Sequence, residues 1–389
     1  THMNIFPAIA NSADELRAIF EDLHAHPEIG FTETRTAEIV ARKLREIGVD
    51  EVHTGVAKTG VVALIKGKGG GNRRVGLRAD MDALPIHEQT NLPYASKSPG
   101  VMHACGHDGH TTMLLGAAKH LAETRNFDGT AVLIFQPAEE GLGGARGMLA
   151  DGLFERFPCD EVYSMHNHPS GEPNKVSICK GTAMAGASFF DIRIQGKGSH
   201  AAMPHQSRDP LVVASALVGQ LQTILSRSVP PQDACVVSVT QFHAGSAYNV
   251  VPDTATLAGT IRYLNDQICE LAENRLREIC KGLAIAHDVE IEVDLRNIFN
   301  PLVNDAELSD AYLEAAADIV GSDHVTDQAA PGTGSEDFAD MLQIVPGAYC
   351  RVGHSGTTAL HNPGFVLDPE ILPVGASILA RVVERRLPI

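Results

Sequence analysis

The stretch Met102-His103-Ala104-Cys105-Gly106-His107-Asp108-Gly109-His110 stands directly before the apolar run 111–121, whose pattern predicts a helix. Its nine residues carry one thiol, three imidazoles and one carboxylate. Imidazoles and thiolates are the usual ligands of borderline-soft divalent metals, and they commonly converge from loops. This density predicts a metal site. Cys105-x-His107 alone also fits a histidine-rich loop with one buried thiol.

Three further segments carry candidate metal ligands after strand-like runs or in turns. The pair Glu139-Glu140 follows the apolar run 131–135, His166 follows 161–165, and His361 lies in 359–364. Four such segments indicate metal binding more strongly than one histidine-rich loop, because single motifs often match by chance. A solvated acidic turn is the alternative for the glutamate pair. Its place after a buried strand favours function.

The order of strands and helices predicts an α/β catalytic domain. From 74 to 167, apolar strands alternate with helical stretches, the pattern of a mostly parallel sheet covered by helices. Asp80 and Asp82 follow one of these strands, so we expect them near the other candidates at the carboxyl ends of the sheet. Between about 185 and 297 the order becomes βαββαβ, which predicts an inserted ferredoxin-like α+β module.

The length of 389 residues favours two domains. The predicted organisation is a catalytic domain in two parts, at 3–184 and 298–389, around a lid at 185–297. Thr1-His2 before Met3 is interpreted as a vector remnant and carries no functional argument.

The glycine-rich segment 66–72 predicts a flexible hairpin connection between two strands. It lacks the strand-to-helix context and the terminal Lys-Ser/Thr of a phosphate-binding loop. A nucleotide site is therefore not expected there.

Composition bounds the partners of this chain. Lysine and arginine number 31 against 48 aspartates and glutamates, so the net charge of −17 repels polyanions and disfavours nucleic acid. A small-molecule partner is expected instead. The seven cysteines are scattered, unlike a secreted disulfide framework, which predicts a reducing cytoplasm. The sequence has no basic start followed by an apolar core, and it has no run of about 18 apolar residues. Membrane association is therefore not expected.

These motifs together resemble the M20 metallopeptidase superfamily, in the amidohydrolase branch of hippurate hydrolases, N-acyl-amino-acid amidohydrolases and auxin-conjugate hydrolases. The resemblance implies a Zn-peptidase-like mixed-sheet catalytic domain with an inserted lid. In the family the lid often pairs with a second copy, so a homodimer or higher homo-oligomer is expected. Ten segments match in the family's order, namely 24–30, 77–85, 102–110, 135–141, 165–168, 196–205, 249–253, 259–262, 334–338 and 360–363.

The resemblance also implies two divalent metal ions per subunit with shared protein ligands, which are Cys105, His107, Glu140, His166 and His361. Cys105 is a candidate bridge. The branch departs from the commoner superfamily pattern, which has a histidine where Asp80 stands and a bridging aspartate where His107 stands. That departure leaves the metal open among Zn, Mn, Ni and Co, because thiolate favours softer metals while carboxylate and imidazole also accept Mn.

The adjacent glutamates invite different roles, since one can coordinate while its neighbour accepts a proton from the attacking water. The resemblance assigns the base to Glu139. Asp80 and Asp82 are expected to orient the ligands, although strand-end turn residues explain them almost as well. Ordinary structural histidines are the expectation for His103, His110, His168 and His354.

Four residues of the lid or its flank match substrate-contacting positions of the family. His200 is implied as an oxyanion donor, in its own site or in that of a partner subunit. Asn249 and Arg262 are implied to hold the substrate, and a guanidinium suits an α-carboxylate, although Arg262 could instead form a structural ion pair. Glu336 is a candidate polar contact of the pocket.

The function predicted from these residues is a binuclear metal-dependent amidohydrolase that releases an amino acid from an N-acyl-L-amino acid. One alternative is a metallo-dipeptidase or carboxypeptidase acting on small peptides. Another is a hydrolase with Cys105 as nucleophile and His107 as base, but residues two apart in a loop seldom serve so, and the remaining ligands would have no role. A metal-dependent binding protein without turnover is disfavoured by the intact Glu139.

Overall fold

A computed structural model describes residues 3–389, and Thr1 and His2 lie outside the described residues. Short 3-10 turns occupy Pro204–Gln206 and Ser322–His324, and a π-helical turn occupies Ile224–Ser228. The α-helices are α1 (Pro7–Ala10), α2 (Ala13–Ala25), α3 (Thr34–Ile47), α4 (His107–Thr124), α5 (Gly144–Ala150), α6 (Leu153–Arg156), α7 (Pro210–Thr223), α8 (Asp266–His287), α9 (Ala306–Val320), α10 (Phe338–Leu342) and α11 (Ile371–Arg386).

The strands follow the apolar runs of the sequence. They are β1 (Glu51–Val56), β2 (Gly60–Lys66), β3 (Gly69–Asp80), β4 (Asp128–Gln136), β5 (Glu161–Pro169), β6 (Val176–Ser177), β7 (Gly181–Met184), β8 (Gly186–Gln195), β9 (Ser199–His200), β10 (Cys235–Ala244), β11 (Val250–Val251), β12 (Thr254–Tyr263), β13 (Glu290–Phe299), β14 (Leu302–Asn304), β15 (Val325–Thr326) and β16 (Gly347–His354).

The chain divides into two units. The second unit consists of Thr182–Leu302 and Pro331–Glu336. The first consists of the residues up to Gly181, Val303–Ala330 and Asp337–Ile389. The lid boundaries expected at 185 and 297 lie inside the second unit, and the return of the chain at 331–336 was not expected.

The first unit contains a mixed sheet in the order β1-β2-β4-β3-β5-β16-β6-β15. Its four central strands, β4, β3, β5 and β16, are mutually parallel, and β1 and β2 pair antiparallel with their neighbours. Strand β6 pairs antiparallel with β16 and parallel with β15. Strand β4 has a wholly buried apolar run at 131–135 because helices cover a parallel sheet on both faces. The mostly parallel mixed-sheet class predicted from the sequence is confirmed.

The glycine-rich segment 66–72 is not the predicted hairpin connection. Strands β2 and β3 do not pair with each other; both flank β4, so the segment carries the chain from one side of β4 to the other. A Cβ atom on Gly67 would lie 2.0 Å from the carbonyl oxygen of Phe127. The glycines therefore allow a close backbone crossing, which a sequence pattern does not distinguish from a flexible turn.

The helix predicted over 111–121 begins four residues earlier, so His107 and His110 lie in the first turn of α4 rather than in a loop. The preceding Gly106 is in the left-handed region, with φ of 81°. Residues 107–110 are all buried although three of them are polar, which hides this turn from a search for apolar periodicity.

The second unit has the predicted βαββαβ order, formed by β8, α7, β10, β12, α8 and β13. Its antiparallel sheet runs β10-β12-β8-β13, so the fourth strand lies beside the first, as in ferredoxin-like modules. The helices begin at side-chain caps: Asp209 accepts hydrogen bonds from the first turn of α7, and Asn265 does the same for α8. Both helices pack their apolar faces on this sheet.

Across residues 3–389, no helix has both the length and the apolar character needed to cross a membrane.

Candidate metal centre

The candidate ligands of the first unit lie at the carboxyl ends of its parallel strands. Asp80 is the last residue of β3, the pair Glu139-Glu140 follows β4, and His166 lies in the last part of β5. Helix α4 begins beside them with His107. This is the sheet edge at which open α/β folds place their sites, because loops that leave parallel strands converge there.

The ligand atoms converge on His107. Its Nε2 atom lies 3.2 Å from Asp80 Oδ2, 3.6 Å from Glu140 Oε1 and 3.9 Å from Glu139 Oε2. His361 Nε2 lies 3.3 Å from the same Glu140 oxygen. Asp80 thus contributes one oxygen to the cluster itself, in addition to the orienting role predicted from the sequence.

Cys105 joins the same cluster from the loop before α4. Its Sγ atom is 3.4 Å from His166 Nε2. Cys105, His107 and His166 form one group whose ligand atoms lie within 4.8 Å of one another, and Cys105 with Glu140 and His361 forms another. Cys105 therefore stands where the two groups overlap, as a bridging thiolate would require.

Several buried polar atoms of this cluster point at each other without hydrogen bonds. Among residues 3–389, the buried atoms without a hydrogen-bond partner include Asp80 Oδ2, His107 Nε2 and Glu140 Oε1. An unpaired buried polar group is costly, so such atoms need an unlike partner. Oxygen, nitrogen and sulfur atoms that face one another at this spacing fit divalent cations, as the chemistry of the donor set also does.

The two central imidazoles are oriented by their other ring nitrogens. His107 Nδ1 lies 3.1 Å from Asp82 Oδ1, and His166 Nδ1 lies 2.7 Å from the carbonyl oxygen of Asn167. Both acceptors lack hydrogen, so each Nδ1 donates, and in the neutral ring Nε2 is then the nitrogen that can bind a cation. Asp82 also accepts the backbone N–H of Glu140 at 3.0 Å, so one carboxylate positions two candidate ligands.

The protein alone does not favour the ligand form of Cys105. Burial and the nearby Glu140 carboxylate raise the pKa of the Cys105 thiol well above its usual range. For His107, burial lowers the pKa, but Asp80 and Asp82 outweigh this effect and raise it well above its usual value. A cation among these groups would reverse both tendencies, because it favours thiolate and neutral imidazole.

A second layer of polar residues was missed by the sequence analysis. His110 donates from Nδ1 to Asp80 Oδ1 at 2.7 Å, and its Nε2 accepts from the backbone N–H of Asn167 at 3.0 Å. His354 Nε2 lies 3.0 Å from Asn167 Oδ1, and its Nδ1 accepts the backbone N–H of Gly356. The expectation that His110 and His354 are satisfied structural residues agrees with these contacts, yet together they fix the Asp80 carboxylate. The position of His110 three residues after His107 on one helix was the available signal.

Gly106 makes this arrangement sterically possible. The Asn167 side chain donates from Nδ2 to the Cys105 carbonyl oxygen at 2.9 Å. A Cβ atom on Gly106 would lie 2.2 Å from the same nitrogen. Both this approach and the positive φ of residue 106 require glycine between the two candidate ligands Cys105 and His107.

The remaining predicted residues belong to the second unit. His200 lies on the exposed strand β9, paired with β11, and its Nδ1 accepts the backbone N–H of Ala202 at 3.0 Å. Asn249 is exposed and accepts the N–H of Ala201 through its carbonyl oxygen. Arg262, on β12, donates to Ser335 Oγ at 2.6 Å.

Among the described residues, Arg262 forms no salt bridge, which disfavours a structural ion pair for it. Glu336 is buried. The substrate roles of His200, Asn249, Arg262 and Glu336 remain predictions.

Comparison with known proteins decides the family. The family profile described as Peptidase family M20/M25/M40 matches residues 76–385. The chain belongs to this peptidase family. The M20 resemblance inferred from the sequence motifs is thereby confirmed.

Three similar proteins align with almost the whole length of the M20 chain. The chain is 43% identical to the hippurate hydrolase of Campylobacter jejuni, over 99% of this chain and 100% of that protein. It is 38% identical to the N-acetylcysteine deacetylase of Bacillus subtilis, over 93% and 94% of the two chains. A Bacillus subtilis crystal structure described as a dinuclear metal binding peptidase from the M20 family superposes with a TM-score of 0.83, at 35% identity, over 97% and 99% of the two chains.

These similarities confirm the predicted enzyme class. The M20 chain is a hydrolase of amide bonds, and its cluster of donor atoms can hold divalent metal ions.

We predict that Asp82→Ala lowers the affinity of the apo-protein for Zn²⁺ or Mn²⁺ by about 10–100-fold, because it removes the acceptor that orients both His107 and the Glu140 backbone. Competition against a chromophoric chelator measures the affinity. Asp50→Ala is the matched control: that carboxylate also accepts a backbone N–H, from Lys66, but it pairs with Arg125 away from the cluster. Affinity within twofold of wild type for Asp82→Ala would contradict the orienting role.

Proposed function

We propose that this chain hydrolyses N-acyl-L-amino acids to a carboxylic acid and a free amino acid at a site built from the cluster around His107. The observation that carries the proposal is the convergence of Cys105, His107, Glu140 and His361, with Glu139 beside them. The relatives named above support the substrate class, because hippurate and N-acetylcysteine are both N-acyl amino acids.

Glu139 is proposed as the general base. Its Oε2 lies 3.9 Å from His107 Nε2, so its carboxylate faces the cluster while Glu140 lies closer to both His107 and His361. Two divalent cations held by these residues would polarise the amide carbonyl and activate water. Glu139 then accepts the proton of the attacking water and returns it to the leaving nitrogen, which makes the amine a better leaving group.

The second unit is proposed to supply the substrate contacts. Because His200 Nδ1 accepts a backbone N–H, the neutral ring carries its proton on Nε2, the form that can donate to an oxyanion. Arg262 is half-buried and is proposed to bind the α-carboxylate, with Asn249 and Glu336 as further polar contacts. Such a site would recognise the amino-acid part of its substrate by the α-carboxylate rather than by the side chain.

A cysteine-nucleophile mechanism is disfavoured by the surroundings of Cys105. Reactive cysteines lie in electropositive surroundings that lower the thiol pKa. Burial and Glu140 instead raise the pKa of Cys105. The thiol therefore fits a metal ligand better than a nucleophile.

The proposed assembly is a homodimer through the second unit. Its sheet ends at strand β10, an edge with free pairing capacity, and α7 exposes Val212 and Leu211. Phe242 on β10 is also exposed. We place the enzyme in the cytoplasm, and its seven free cysteines support a reducing compartment.

Hydrolysis of N-acetyl, N-benzoyl and indole-acetyl amino acids tests this function. We expect the apo-enzyme to be inactive, and Zn²⁺, Mn²⁺, Co²⁺ or Ni²⁺, added in turn, to restore hydrolysis of at least one acyl amino acid. The matching amides without an α-carboxylate should be poorer substrates for wild type, and Arg262→Ala should remove that difference by raising KM for the acids only. Faster hydrolysis of small dipeptides would instead identify a peptidase, and full activity without metal would contradict the proposal.

The Glu139→Gln variant separates the base from its neighbouring ligand. We expect it to retain wild-type metal content and to lose at least about 10²-fold in kcat, because the amide cannot accept the proton. Metal analysis and steady-state kinetics give the two readings. Loss of both metals would show that Glu139 rather than Glu140 coordinates.

Mixing inactive variants tests whether His200 serves a partner subunit. His200→Ala should lower kcat by about 10²–10³-fold, as for other oxyanion donors. If the residue acts across a dimer, mixing His200→Ala with Glu139→Gln subunits should restore some activity, since one site of a mixed dimer has both groups. Unmixed variants are the controls. No recovery after verified subunit exchange would assign His200 to its own chain.

A further inference from the structure

One buried ionic cluster of the first unit has no role in the metal site or the substrate contacts described so far. His24, near the end of α2, lies with Nδ1 2.8 Å from Asp108 Oδ2 and Nε2 2.9 Å from Glu88 Oε1. All three side chains are almost wholly inaccessible, with at most 4% of each exposed. We name these three residues the His24 triad.

Both ring nitrogens of His24 face oxygens of carboxylates. Carboxylates only accept hydrogen bonds, so both nitrogens donate and the ring is an imidazolium. Burial by itself would lower the pKa of His24, but its hydrogen bonds to Asp108 and Glu88 outweigh that effect and raise the pKa to about 10. The triad is thus one positive charge between two negative charges, in an interior where removing one partner leaves a costly unpaired charge.

One arm of the triad holds the first turn of α4. Asp108 directly follows the candidate ligand His107, and its Oδ1 accepts the N–H of Gly109 at 2.9 Å. Its carbonyl oxygen accepts the hydroxyl of Thr112 at 2.8 Å. The contact with His24 therefore fixes the helix turn from which His107 enters the cluster.

The other arm reaches the segment that carries His361. Glu88 accepts hydrogen bonds from the backbone N–H of Ser96, at 3.1 Å, and from the hydroxyl of Thr90. These two hydrogen bonds order the loop from Glu88 to Ser96. The next residue, Gln89, donates its N–H to the carbonyl oxygen of Pro363 at 2.8 Å. Pro363 is two residues beyond His361.

The segment around His361 needs such support. The side chain of His361 is 53% exposed, and its backbone is in the left-handed region with φ of 65°. Residues 355–370 form neither helix nor strand, and the N–H of His361 is held by the carbonyl oxygen of Ala104. A strained ligand in an irregular segment persists only where neighbouring contacts determine its position.

We propose that His24 is a positioning residue that fixes the segments of His107 and His361 relative to each other, so that their imidazoles are preorganised for divalent metal ions. Asp108 transmits this constraint to one ligand, and Glu88 with Gln89 transmits it to the other. The inference rests on the metal centre of the proposed function. It assigns a physical role to the motif at 24–30, whose His24 contacts neither ligand directly.

The chain offers a matched control for a buried histidine–carboxylate contact. His120 Nε2 lies 3.0 Å from Glu384 Oε2, and about 5% of each side chain is exposed. His120 stands near the other end of α4 and contacts α11, remote from the ligand segments. His120→Gln therefore removes a comparable buried contact from the same unit and the same helix.

The test compares the apo-forms of wild type, His24→Gln, Glu88→Gln and His120→Gln. Zn²⁺ and Mn²⁺ affinities are measured by chelator competition, and folding is measured by circular dichroism and thermal unfolding. We expect His24→Gln and Glu88→Gln to bind at least one ion about 10–100-fold more weakly, the usual range when an orienting partner is lost. His120→Gln should unfold at a lower temperature but bind both ions within threefold of wild type.

Glu88→Gln keeps the size of the side chain and removes the charge that pairs with His24, so it decides the matter if His24→Gln does not fold. Unchanged affinity in a folded His24→Gln or Glu88→Gln protein would overturn the proposal, as would an equal loss in His120→Gln. Because ion binding is measured, a wild-type protein that binds two ions yet cleaves no N-acyl amino acid contradicts the proposed function alone. A wild-type protein that binds neither ion contradicts both.

Discussion

Four carboxylates gathered at one sheet edge impose the constraint on which the rest of this site depends. Asp80 and Asp82 are almost wholly buried, and Glu139 and Glu140 are largely so. Like charges this close and this far from water repel strongly unless cations compensate them. Buried Arg78 supplies part of that compensation from the protein, 3.6 Å from Asp80, and divalent ions held by the cluster would supply the rest. Histidines oriented by carboxylates and by backbone carbonyls then complete the ligand set without adding negative charge.

The backbone directly before the glutamate pair adopts an unfavourable conformation that other buried groups hold in place. Ala138, directly before Glu139, has a φ of 54°, an unfavourable conformation for a residue with a Cβ. Fully buried Glu33 holds it there by accepting the Ala138 N–H at 2.8 Å and the Thr59 hydroxyl at 3.0 Å. A strained backbone conformation persists only where surrounding contacts determine it. Here the buried carboxylate of Glu33, the residue directly before helix α3, provides those contacts.

The sequence could predict those parts of the fold that local sequence patterns determine. Alternating apolar runs predicted the parallel sheet, and adjacent polar residues after strands predicted which side chains meet. It could not predict that α4 begins at His107, because that turn is stabilised by tertiary contacts such as those of His110 and not by an apolar stripe. The crossing at Gly67 was misinterpreted for a similar reason: a glycine needed for close approach and a glycine in a flexible turn look alike until the neighbouring strand is known.

The different roles proposed for the two consecutive glutamates agree with the geometry of the backbone that carries them. In an extended strand, successive side chains point to opposite faces, so adjacent carboxylates could not face one imidazole. After β4 the chain leaves the extended conformation, with positive φ at Ala138 and at Gly141. Both carboxylates can then approach His107 Nε2, Glu140 at 3.6 Å and Glu139 at 3.9 Å. Glu140 also lies beside His361, at 3.3 Å, which agrees with the roles proposed above, Glu140 as the ligand and Glu139 as the base.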